Sequence, residues 1–133
     1  MTCRVRKTSD NDSELVKKTE DWMKIFVSLS DDPLSDFYMG EEACNFVESL
    51  GFSYVCPVHE LALTYSYAHS EGRNEMIAIG TELMPTCDEV WIFGDRLGGI
   101  SFIEKKTAIS LGKKIKRISS VHMRSKVIPE EYI

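Results

Sequence analysis

Four short apolar runs alternate with stretches of helical periodicity, and that alternation limits this chain to few folds. The runs are MKIFVSLS (23–30), FSYVCPV (52–58, stopped near Pro57), DEVWIFG (88–94) and KKIKRISSV (113–121). The first is too short for a buried helix and rich in β-favouring residues, so it reads as a strand covered on both faces; the other three read as strands as well. Between them, Met39, Ala43, Phe46, Val47 and Leu50 recur at helical spacing after Ser35 or Asp36 as the cap, and Gly51 ends that helix. Residues 73–84 place Met76, Ile79, Gly80 and Leu83 on one helical face before Pro85. A third helix spans Ser101 to Leu111, with Gly112 as its stop. The segment 59–72, rich in Tyr and small polar residues, is expected to be a partly helical loop. Strand–helix alternation of this kind implies an α/β fold: a small doubly wound, Rossmann- or flavodoxin-like parallel sheet with helices on both faces.

A chain of 133 residues, 43% of them hydrophobic, suits one core. The expected division is a polar N-terminal appendage at 1–22, where Ser13 can cap a short helix through Trp22, a single domain at 23–121, and an unassigned tail at 122–133. The formal net charge of -5 argues against a nucleic-acid partner. Lys113, Lys114, Lys116 and Arg117 then read as a solvated surface. No apolar run approaches the ~20 residues of a membrane helix. The N-terminus turns polar where a signal peptide needs its apolar segment, so the expected location is cytoplasmic. Cys3, Cys44, Cys56 and Cys87 form no metal-ligand spacing, and the last three read as buried free thiols.

In doubly wound sheets, ligands sit at the carboxyl ends of the strands, where the strand order reverses. That rule nominates residues 29–36, 57–73 and 94–104. The last lies in GDRLGGISFIEKKTAISLGKK (94–114), where Glu104 has two readings. Ser101 followed three residues later by Glu104 is a capping box and needs no function. Gly98 and Gly99 are likewise explained by a tight turn. The same geometry also puts a carboxylate at the edge of the cleft. There it can attack an anomeric carbon and form a glycosyl ester. Such chemistry needs a second acid, about 5 to 5.5 Å away in ordinary retaining glycosidases. Asp95, ending the third strand, and Glu75, in the second helix, are the candidates, although the residues alone favour reading each as an exposed surface acid.

GTELMPTCDEVWIFG (80–94), a glycine turn and SFIEKKTAISLGKKIKRI (101–118) together resemble the nucleoside 2-deoxyribosyltransferase-like superfamily, closest to a small bacterial and phage branch. The pattern falls on Ser101, Glu104, Ala108, Gly112 and Lys113, and the likeness spans residues 23–118. It implies transfer of 2-deoxyribose between bases or hydrolysis of the N-glycosidic bond, with Glu104 as nucleophile and Glu75 assisting the leaving base. It implies no metal or organic cofactor, a nucleoside or nucleotide as the small-molecule partner, and a homodimer or larger homo-oligomer. Transferases of this group carry an acid, and 5′-phosphate hydrolases a Ser, six residues before the nucleophile. This chain has Gly98 there, a departure that also leaves open a non-catalytic nucleotide binder on the same fold. Asp95 is a candidate to take over sugar recognition. Ser28 and Ser30 are candidates to hold a phosphate, although Asp31 and Asp32 follow and would repel one. His59 reads as site-lining or structural. Tyr65 and Tyr67 read as base-stacking or packing residues, and Trp91 reads as core.

Overall fold

A computed structural model describes residues 23–30, 37–61, 70–94 and 98–133. Its elements are β1 (Lys24–Leu29), α1 (Phe37–Ser49), β2 (Ser53–Val55), α2 (Pro57–Leu61), α3 (Ser70–Leu83), a 3-10 turn (Met84–Thr86), β3 (Glu89–Phe93), α4 (Ile100–Ser110), β4 (Lys114–Ile118) and α5 (Ser120–Ser125). The four strands form one sheet in the order β2-β1-β3-β4. Every neighbouring pair is parallel. The expected α/β sheet is therefore present.

The chain steps outward from β1 to β2, then returns across β1 to β3 and β4. Right-handed crossovers put α1 on one face of such a sheet and α3 and α4 on the other. The packing agrees. Ile25, Val27, Trp91 and Phe93 share a cluster with Ala43, Phe46 and Val47 of α1. Phe46 meets Phe93 edge-on at 6.0 Å between ring centroids. On the other face, Phe26, Val90, Ile92 and Ile115 pack with Ala108 of α4 and Met84. The direction of travel reverses between β1 and β3, so the carboxyl ends of these two strands mark the switch point.

Three segments differ from the sequence expectation. Pro57 does not close a strand; β2 stops at Val55, and Pro57 opens α2. Its fixed φ and missing amide suit the first position of a helix as well as they suit a strand end. The fourth strand ends at Ile118, because Ser119 caps α5: its hydroxyl accepts from His122 N at 3.2 Å, and its own amide donates to His122 Nδ1 at 3.0 Å. The segment after 121, which carried no readable pattern, lies against the edge of β4. Ile133 N donates to Ile115 O at 2.8 Å. Tyr132 OH donates to Glu89 Oε2 at 2.9 Å, and Lys116 Nζ bonds to Pro129 O.

The basic cluster is occupied structurally. Lys113 Nζ donates to the carbonyls of Cys87 and Pro85 at 2.6 and 3.2 Å, and Arg117 Nε donates to Gly94 O at 3.3 Å. Cys44, Cys56 and Cys87 are buried free thiols, and Trp91 is core. Among the described residues no helix is long and apolar enough to cross a membrane.

Candidate functional site

The turn between β3 and α4 sets the site. Gly99 has φ 61, a left-handed conformation that a side chain would strain. It serves as the N-cap without any side-chain cap bond, so the helix begins at Ile100. Ser101 is thus already inside the helix. Its hydroxyl donates to Gly98 O at 2.6 Å and accepts from Gly98 N at 3.2 Å, pinning the turn. Glu104 consequently falls in the second helical turn. The expected capping box does not form, because both of its members sit past the cap.

Glu104 instead turns inward onto the sheet. It is 3% exposed. Ser28 Oγ, from the central strand β1, donates to its Oε1 at 2.6 Å, so that hydroxyl is committed to a carboxyl group. Oε2 is buried and has no hydrogen-bond partner. It faces α3 at Gly80: a Cβ built there would lie 3.5 Å from Oε2, 3.4 Å from Phe26 Cζ and 3.8 Å from Pro57 Cγ. The missing side chain leaves the space beside Oε2 unfilled, and a methyl would occupy it at ordinary contact distance. Burial pushes the Glu104 carboxyl up to about 8, and the bond from Ser28 pulls part of the way back. The nearby Cys56 thiol is itself pushed well above its ordinary value, first by burial and then by Cys44.

Ser30 follows two residues after Ser28, on the same side of the chain. It is 4% exposed, and its hydroxyl likewise lacks a partner. Its carbonyl lies 3.9 Å from where a Gly98 Cβ would stand. Ser28, Ser30, Gly98 and Glu104 are therefore gathered at the carboxyl ends of β1 and β3. Two buried polar atoms at this end of the sheet, Glu104 Oε2 and Ser30 Oγ, are unpaired, although most buried polar groups are paired. Such a pair is suited to a ligand's donors and acceptors.

Other expected residues lie elsewhere. Glu75 is exposed on α3, five residues before Gly80 and so about 140° around the helix from the face that covers Glu104. His59 packs its ring against α1, where a Gly40 Cβ would come within 2.9 Å of His59 Cγ. Ser101 and Gly99 shape the turn. Tyr65, Tyr67 and Asp95 lie outside the described residues. Phe26, Pro57 and Gly80 line the niche and were not expected to. Gly80 did carry a signal, because glycine inside a helix costs up to about 1 kcal/mol relative to alanine and invites a packing reason. Among the described residues no group of three or more His, Cys, Asp or Glu side chains is placed to hold a metal ion.

No family model matches the chain, and no curated protein matches it. Among solved structures, the fold is similar to that of a 2-deoxyribosyltransferase from the psychrotolerant bacterium Bacillus psychrosaccharolyticus. The TM-score is 0.51 at 16% identity, over 78% of this chain and 82% of the other. The two chains share a fold.

Proposed function

We propose that this protein acts on the N-glycosidic bond of a nucleoside or nucleotide, with Glu104 as the nucleophile. The observation that carries this reading is the buried carboxyl at the switch point, with one oxygen held by Ser28 and the other unpaired. Oε2 attacks the anomeric carbon, and a C–O bond forms as the C–N bond breaks. The electron pair of the C–N bond leaves on the base nitrogen, which takes up a proton. A second base or a water then attacks the glycosyl ester, giving transfer or hydrolysis, and the carboxylate is restored. Ser30 is assigned to the bound sugar or its phosphate, and Asp95, next after Gly94 at the end of β3, to sugar recognition or protonation of the leaving base. No metal or organic cofactor enters these steps. With the carboxyl at about 8, about a tenth of the molecules carry the ionised nucleophile at neutral pH, so turnover rises toward pH ~8.

The test is incubation with deoxynucleosides and their 5′-monophosphates, with and without an acceptor base, followed by chromatography for released or exchanged base. Base release that disappears in a folded Glu104→Ala variant is the expected result. Turnover retained by that variant would remove Glu104 from the mechanism. A second reading, a nucleotide-binding protein without turnover, draws on Gly98, which offers no side chain to the sugar, and on the depth of Glu104. Calorimetric binding of the same compounds with no base released would favour it.

A further inference from the structure

Ser28 is fully buried in the central strand, on a face otherwise built from Phe26, Val90 and Ile92. A hydroxyl in such a place needs a partner, and its partner is Glu104 Oε1. This bond has two chemical consequences. First, the two oxygens of a carboxylate are interchangeable unless something outside the group distinguishes them. Ser28 engages one of them, which leaves the other turned to the niche beside Gly80. Second, a hydroxyl that donates to a carboxylate favours its ionised form. That effect opposes the burial that keeps Glu104 protonated.

We propose that Ser28 is a positioning residue, which holds Oε1 of Glu104 so that Oε2 is the atom presented to the anomeric carbon. The proposal rests on Glu104 being the nucleophile. It replaces the expectation that Ser28 holds a phosphate, since the one proton of its hydroxyl is already donated to Glu104. The atoms that a Gly80 Cβ would meet besides Oε2 belong to Phe26 and Pro57, which carry no charge. Among the described residues Cys56, a thiol that burial pushes well above its ordinary value, also interacts electrostatically with Glu104. Ser28, whose hydrogen bond lowers the carboxyl, is a neighbour able to tune it.

The experiment uses the full chain labelled with 13C at the glutamate carboxyls, with the Glu104 signal assigned by its loss in Glu104→Gln. In Ser28→Ala the Glu104 titration midpoint moves up, whereas Ser28→Thr, which keeps the hydroxyl, stays near the wild-type value. For base release, Ser28→Ala lowers kcat by about tenfold or more with little change in KM, and the rising limb of the pH–rate profile shifts up with the NMR midpoint. An unchanged or lowered midpoint in Ser28→Ala overturns the proposal. So does a raised KM at constant kcat, which would make Ser28 a substrate contact. The titration needs no turnover, so failure of Glu104 as nucleophile and failure of Ser28 as its positioner are read separately.

Discussion

Replacing Glu104 by Gln should stabilise this protein at alkaline pH and leave that gain absent in acid. The carboxyl is raised from 4.5 to about 8 in the folded chain. Below pH ~4.5 the folded and unfolded states both carry the proton, and the effect is absent. Between pH ~4.5 and ~8 the unfolded chain releases its proton while the folded chain keeps it. Folding stability therefore falls as pH rises, by about 1.4 kcal/mol per unit. Above pH ~8 the loss is complete, at about 5 kcal/mol. Glutamine keeps the shape and an oxygen for Ser28 but cannot titrate. Its amide brings two donors into the niche beside Gly80, and leaving them unpaired costs about 1–3 kcal/mol at every pH. The slope of the difference between variant and wild type, more than its absolute value, is therefore the quantity to read. Urea unfolding of both proteins at unit steps from about pH 5 to about pH 9, at constant ionic strength, measures it. The expected difference grows in favour of Glu104→Gln by several kcal/mol across that range, while base release is lost. A difference that stays flat with pH would show that Glu104 titrates normally, and the account of its burial would be wrong.

The niche itself can be tested at Gly80. A methyl there meets Phe26 and Oε2 at ordinary contact distance, so Gly80→Ala should unfold at the same temperature or higher, by up to about 1 kcal/mol of helix preference, yet release base at least about tenfold more slowly; a thermally weakened variant would contradict the contact geometry. Gly40→Ala drives a methyl into the His59 ring and should cost about 1–3 kcal/mol in urea unfolding, whereas unchanged stability would mean that the ring moves freely. The outer face of α4 exposes Phe102, Ile103 and Ile109, the last at 61%, together with Lys106, and the adjoining α3 exposes Glu75 and Glu82. Two copies about a two-fold axis would set acidic α3 on basic α4. Sedimentation should therefore show a homodimer that Ile109→Glu dissociates, and a wild-type monomer at tens of micromolar would refute the pairing.

The sheet was legible because its physics is local. A strand covered on both faces must be apolar along its length, and MKIFVSLS and DEVWIFG were read correctly for that reason. Pro57 was misread because one residue type serves two purposes, ending a strand or opening a helix. The tail after 121 was unreadable because much of its attachment is made by backbone groups, such as Ile133 N and Pro129 O, and a carbonyl leaves no trace in residue identity. Glu104 lay between these cases. Its spacing from Ser101 matched a cap, but Gly99, with its left-handed φ, is the N-cap, so the helix starts at Ile100 and Glu104 lies buried in its second turn.

From the order of its residues alone, this chain had to form a parallel α/β sheet, and the end of that sheet where chemistry can be placed followed from the same order. Which atoms meet there was decided by tertiary structure. Ser28 and Glu104 are 76 positions apart, and Gly80 lies between them in sequence. Their encounter depends on the crossovers that bring β1, α3 and α4 together, and the raised carboxyl is a property of that burial rather than of any segment.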